Sequence, residues 1–291
     1  MSFQAIILLI LRISIVLSVF ALGLGARFTD TLYLFRRPAK LARAFLSMNV
    51  LMPLVALLLV FSFDLHPAVK IALVALSVSP VPPIFPKSAL EEGGKENYTI
   101  GLLVATSVLA IAVIPIAMEI FERIGGTPMS MSVTRVAAIV FAMVLVPLLL
   151  GIGARKTVWA HPAAKHIGRF ATVLLLLGVL PVLLVESRTV FSLIGNGTIL
   201  SLGAFAVAGL VGGYWLGGPE PRERRVLSLA TACRHPGLSV AIAQANFPQQ
   251  KMAVPAVCLY LIIDVLLAAL VRRFSARGGA DTAGANQRAA A

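Results

Sequence analysis

Nine apolar runs alternate with short polar stretches along the 291 residues. They cover residues 5–24, 44–63, 99–120, 136–152, 171–185, 198–216, 228–247 and 254–271, with a further run from Val69 to the polar stretch at residues 91–97. About 20 apolar residues cross a bilayer as a helix, so each run reads as a span. Two are broken. The third carries Pro80, Pro82, Pro83 and Pro86, and the eighth carries Arg234, His235, Pro236 and Gly237 in succession. Proline removes a backbone donor, and a cation at bilayer depth costs about 2.5–3.5 kcal/mol. Such interruptions persist only where the backbone is buried in protein or lines a polar cavity. The first run has no basic leader and contains Arg12, so it is expected to be a span rather than a cleaved signal.

The expected fold is therefore all-α and polytopic, with about nine transmembrane helices. The halves are 1–130 with four spans and 131–273 with five, and each has its broken span next to last. Five spans separate the breaks, so they cross in opposite directions and the halves form inverted repeats. Paired interruptions of this kind mark transporter binding sites. The tail 274–291, rich in Ala and Gly, has little to bury and is expected to be disordered.

Composition agrees. Apolar residues make up 59% and charged residues 13%, against roughly 25% charged in soluble domains. The net charge of +13 is not a nucleic-acid signal, because the basic residues cluster between spans. Seventeen lie on alternate loops and the tail, and five on the opposite loops and nearby helix ends. By the positive-inside rule the N-terminus is outside and the tail cytoplasmic, in a multi-pass inner or plasma membrane protein. Cys233 and Cys258 fall in apolar runs and outline no disulfide framework or thiolate site. No paired carboxylates, metal-ligand spacing or nucleophile–base motif points to an enzyme.

The remaining basic residues, Arg12, Lys87 and Arg234, lie inside spans. Each break leaves a half-helix whose first N–H groups attract negative charge, and Pro236 suits the first position of one. Lys87 follows one break and Arg234 precedes the other. Arginine holds a carboxylate or sulfate bidentately, and histidine titrates near neutrality. Competing roles stay open: Lys87 snorkelling toward residues 91–97, Arg234 clamping freed carbonyls, His235 as a satisfied interior side chain. Asp264, inside the ninth run, faces the bundle; pairing with Arg12 or Arg234 has no support from spacing.

The segments RRPAKLARAFLSMNVLMPLVA, SPVPPIFPKSALEEGG, GLSVAIAQANF and AVPA, in that order, resemble the bile acid:sodium symporter family of secondary transporters. The resemblance implies two inverted repeats, a panel and a core domain, and a substrate site where the core's broken helices cross; lack of the first panel helix gives nine spans. In sodium-coupled members the second crossing carries a Glu, then a Gln-Asn pair ahead of Gly-Leu. Alignment on Gly237-Leu238 puts Ala230 at the Glu, and Arg234 and His235 at the Gln and Asn. Pro83-Ile84 and Lys87-Ser88 replace the Gly-Gly and Ser-Asn of the first crossing. Met48, beside Asn49, stands at a further Gln, while Thr99 keeps one hydroxyl. The resulting substrate-site candidates are Lys87, Ser88, Arg234, His235, Pro236 and Asn49. The expected function is transport of a small or amphipathic organic anion. Lys87 and Arg234 act as tethered cations in place of Na⁺, with no cofactor and with proton coupling through Lys87 or His235. The alternatives are sodium-coupled symport of a bile acid-like anion and a non-transporting scaffold or sensor. The expected partners are the anion and the bilayer; oligomeric state has no signal in the sequence.

Overall fold

The computed structural model describes residues 3–91, 93–126, 129, 132–156, 160–185, 190 and 192–270. Glu92, Arg188 and the expected tail 274–291 lie outside the described residues. Among the described residues there is no strand. The helices are α1 (Phe3–Gly25), α2 (Pro38–Ser62), α3 (Pro67–Val78), α4 (Phe85–Glu91), α5 (Glu96–Gly125) and α6 (Val133–Ala154). They continue with α7 (Ala160–Val185), α8 (Thr198–Leu216), α9 (Pro221–Ala232), α10 (Pro236–Asn246) and α11 (Ala253–Leu270). Among the described residues six stretches are long and apolar enough to cross a membrane: α2, α5, α6, α8, α9 with α10, and α11.

Proline sets several starts. Pro67, Pro221 and Pro236 begin α3, α9 and α10, where the missing N–H has no intrahelical partner to lose. Within helices proline acts differently. α2 and α6 each widen into a π-turn, at Leu46–Leu51 and Phe141–Leu145, and each turn is followed two residues on by Pro53 or Pro147. The carbonyl four or five residues before a proline finds no N–H there, and the helix locally unwinds. In α2 the carbonyl five before Pro53 is that of Met48.

The helices form two packed groups. α1 lies along α6 and α7. The contact with α6 is made by glycines: a Cβ at Gly23 would overlap the Leu148 carbonyl, and one at Gly151 the Phe20 carbonyl. Small residues let backbones approach this closely inside a membrane. In the second group α2, α3, α8 and α11 share a core that includes Met52, Leu73, Phe205 and Tyr260, with α9 against α8 and α10 against α3. α5 touches both groups. Its Val104 meets Val19 of α1 and Leu148 of α6, and its Ile114 and Met118 share a core with residues of α3, α6 and α10.

Outward faces are apolar. On α2, Met52, Ala56 and Leu59 are buried while Leu54, Leu58 and Phe61 are 59%, 64% and 69% exposed. Both stripes have helical spacing, so one faces the protein core and the other is suited to lipid.

The polar stretches of the alternate loops meet on one face. Lys40 pairs with the buried Glu223 at 2.5 Å, and Lys95 with Glu220 at 3.0 Å. Arg27, Lys95 and Arg155 line a further cavity of about 570 Å³ together with Asp30 and Glu96. The hydrogen bond from Lys95 holds the Glu220 carboxyl below its ordinary value.

Candidate functional site

The two broken stretches meet. α3 ends at Val78 and Ser79 is extended; α9 ends at Ala232, and Cys233 and His235 are extended. The His235 N–H donates to the Pro80 carbonyl at 3.0 Å, which stitches one break to the other. Pro80, Val81, Pro82 and Pro83 are buried. Prolines suit this place because a buried non-helical backbone must otherwise satisfy every N–H, and three of these four residues have none.

Arg234 closes the junction. It is fully buried and is the largest fully buried side chain among the described residues. Its guanidinium donates to the Ser79 carbonyl at 3.0 Å and to the Met48 carbonyl at 3.2 Å, and Nε has no partner. The Met48 carbonyl lies in the π-turn, five residues before Pro53, so the π-turn in α2 and the breaks in α3 and α9 are joined by one side chain. Neighbouring groups complete the pattern. The Tyr260 hydroxyl donates to the Ala232 carbonyl. Ser239 Oγ donates to the His235 carbonyl at 3.0 Å and approaches that of Ala75 at 3.4 Å. Ser47 and Thr231 join their hydroxyls at 2.7 Å.

His235 is 4% exposed. Its Nδ1 accepts from the Leu238 N–H at 3.2 Å, so the ring caps α10. His235→Ala is expected to lower stability by about 1 kcal/mol, the usual worth of such a cap, whereas His235→Asn keeps most of it. Thermal unfolding of the three proteins in detergent checks this; an unchanged midpoint for the alanine variant would show that the cap contributes nothing.

Lys87 lies elsewhere in the crossing. It is exposed on α4, and its Nζ donates at 2.7 Å to Thr172 Oγ1 of α7, in the group of α1, α6 and α7. Between the groups lies a cavity of about 410 Å³ lined by Lys87, Glu91, Leu22, Ser18, Lys165 and Arg169, among others. Pro83, Ile84 and Pro86 of the first break also form part of its wall. Ser88 is half-buried beside Lys87, Asn49 half-buried in the π-turn, Pro236 half-buried and Gly237 exposed. The structure thus joins Arg234 and His235 to the first break through main-chain bonds, while Lys87 reaches toward α7. Arg12 is exposed on α1.

Lys165 and Arg169 are cations of this cavity, although both precede the apolar run 171–185 and read as residues of the basic loop before it. The apolar run starts at 171, but α7 begins at Ala160. Their spacing of four residues, which places two side chains on one helix face, was the available signal. Among the described residues no group of three or more His, Cys, Asp or Glu is placed to hold a metal ion.

A family model described as the Sodium Bile acid symporter family matches residues 12–200. That stretch includes the first break, Lys87, Lys165 and Arg169, and stops before the second break. No curated protein matches the sequence.

Proposed function

Because the chain belongs to the sodium bile acid symporter family, we propose that it is a secondary transporter of a small or amphipathic organic anion. It works by rocking the group of α1, α6 and α7 against the rest. The observation that carries this reading is the cavity between the groups, where Lys87, Lys165 and Arg169 stand against apolar walls from Leu22 and Pro83. Three cations beside apolar surface suit a ligand with an anionic end and an apolar body.

The same reading includes nine crossings in inverted repeats, 1–130 and 131–273. The N-terminus lies outside, and the basic face, on which the cavity borders through Lys165 and Arg169, is cytoplasmic. The moving group draws on both halves, with α1 from one and α6 and α7 from the other.

The transporter is sodium-independent. A sodium ion takes several oxygen ligands such as carbonyls and carboxylates. What supports independence is that the Ser79 and Met48 carbonyls already accept from Arg234, and that Ala230 offers no carboxylate. Arg234 is the tethered cation at the crossing, and Lys87 faces the anion. Family membership itself favours the second reading, sodium-coupled symport.

The test is uptake of taurocholate, succinate and sulfate into proteoliposomes under separately imposed Na⁺ and proton gradients. The expected result is uptake of at least one anion that is unchanged when K⁺ replaces Na⁺. Uptake abolished by Na⁺ removal selects the second reading, and no uptake under any gradient selects a non-transporting scaffold.

A further inference from the structure

The cavity between the helix groups has four charged residues in its wall: Lys87 and Glu91 of α4, and Lys165 and Arg169 of α7. None of them belongs to an ion pair among the described residues. Three cations and one carboxylate leave two positive charges without a counter-charge. The cations are strung out rather than clustered. Lys165 and Arg169 lie one turn apart on one face of α7, and Lys87 reaches the same helix three residues further on, at Thr172. From 165 to 172 the helix rises by about 10 Å. The Thr172 hydroxyl donates to the Gly168 carbonyl at 2.8 Å, so it meets Lys87 as an acceptor. The ammonium keeps two of its three N–H groups for a ligand. Glu91 stands one turn beyond Lys87 on α4.

Resting on the transport reading above, we infer that the anion is a short dicarboxylate, and that Glu91 sets the number of charges it carries. While the cavity is open, water and salt screen the surplus. Rocking closes the groups over the ligand, and a charge taken out of water has to be paired. Two negative charges on the ligand balance the closed cavity. A single charge leaves one cation buried without a partner, and a third is set against Glu91. The spread of the cations favours charges held apart over one compact anion: one carboxylate meets Lys87, the other Lys165 and Arg169. Between them Leu22, Pro83 and Ile84 line the wall and suit a hydrocarbon chain. That chain is short, because about 410 Å³ lies toward the lower end of the range of roughly 300–1,000 Å³ for small-molecule sites.

Binding tests the inference without any need for transport. Calorimetry on the full chain in detergent, slightly above neutral pH, compares succinate with butyrate, which has the same carbon chain and one carboxylate fewer, and with sulfate, a compact dianion. Succinate is expected to bind about tenfold or more tighter than butyrate, the factor that one charge-assisted contact commands, and tighter than sulfate. Butyrate binding as well as succinate overturns the dianion, and sulfate binding as well as succinate overturns the separated ends. Lys165→Gln should largely erase the preference for succinate over butyrate. Lys165→Gln with Glu91→Gln restores the surplus of two charges and should recover that preference, which a purely structural role for either residue would not do. A double variant as indifferent as Lys165→Gln overturns the role of Glu91. Uptake into proteoliposomes then separates this inference from the reading it rests on. Taurocholate uptake without succinate binding overturns the dicarboxylate and leaves the transport reading standing. Succinate binding without uptake of any anion supports the site and counts against the transport reading alone.

Discussion

Arg234→Ala is expected to lose about 3–5 kcal/mol of stability, from two buried acceptors left unsatisfied at about 1–3 kcal/mol each and from the cavity left by the side chain. The resulting protein should unfold at a much lower temperature in detergent and show no uptake. The size of the effect follows from what stays behind. Replacing both partners of a buried polar contact by apolar groups is often nearly neutral, but here the partners are the main-chain carbonyls of Ser79 and Met48. A side-chain substitution cannot remove them. Each is left without a donor in a site closed to water, and the space of the largest fully buried side chain among the described residues is left empty. Arg234→Met separates the two terms, since it restores most of the volume and none of the hydrogen bonds. It should recover less than half of the loss. Arg234→Lys keeps the charge but offers a single ammonium on a shorter stem, and cannot fork between carbonyls on two helices. It should fall between the alanine variant and wild type. A melting temperature for Arg234→Met equal to wild type would show that the guanidinium bonds do not hold the crossing.

How far the sequence reaches can be judged at the same residue. That 234 sits in a broken span was plain, because a cation, a histidine and a proline interrupt apolar residues on both sides. Whether the guanidinium holds a ligand or the backbone was not, since one of its acceptors is 186 residues away. That acceptor lies in the π-turn of α2, five residues before Pro53. Pro53 was visible as a proline inside a span, but not the π-turn it accompanies, because a π-turn has no side-chain pattern of its own. The helix groups were equally hidden. Hydropathy located the runs, but which of them pack together depends on contacts such as Gly23 with Gly151, and glycine is common in membrane helices. The cavity was missed for a third reason. Lys165 and Arg169 look like loop residues because the first turns of α7 are polar, and polarity marks the end of the apolar run rather than the end of the helix.

Lys87→Glu is expected to cut anion uptake about a hundredfold. A like charge set against a ligand costs several kcal/mol, and each 1.4 kcal/mol is about a factor of ten. Lys87→Gln, which removes attraction without adding repulsion, should cost about tenfold by the same conversion. The cavity sharpens the contrast, because Glu91 already lines it and a second carboxylate would leave Lys165 and Arg169 with two acids to balance before any anion arrives. Lys87 also ties α4 to Thr172 of α7, so a loss of uptake has two physical explanations. Thr172→Val distinguishes them: it removes the hydroxyl that Lys87 reaches and leaves the ammonium in the cavity. If Lys87 meets the anion, Thr172→Val transports at close to the wild-type level while Lys87→Glu does not. If the tie between the groups is what matters, Thr172→Val reproduces the loss. Arg225→Glu, an exposed change of the same size on α9 outside the cavity, controls for net charge and should leave uptake intact. The readout is the initial rate over a range of anion concentrations. A defect in anion contact raises KM most, whereas a defect in the tie changes the maximal rate. Uptake by Lys87→Glu at the wild-type rate and KM would remove Lys87 from the site.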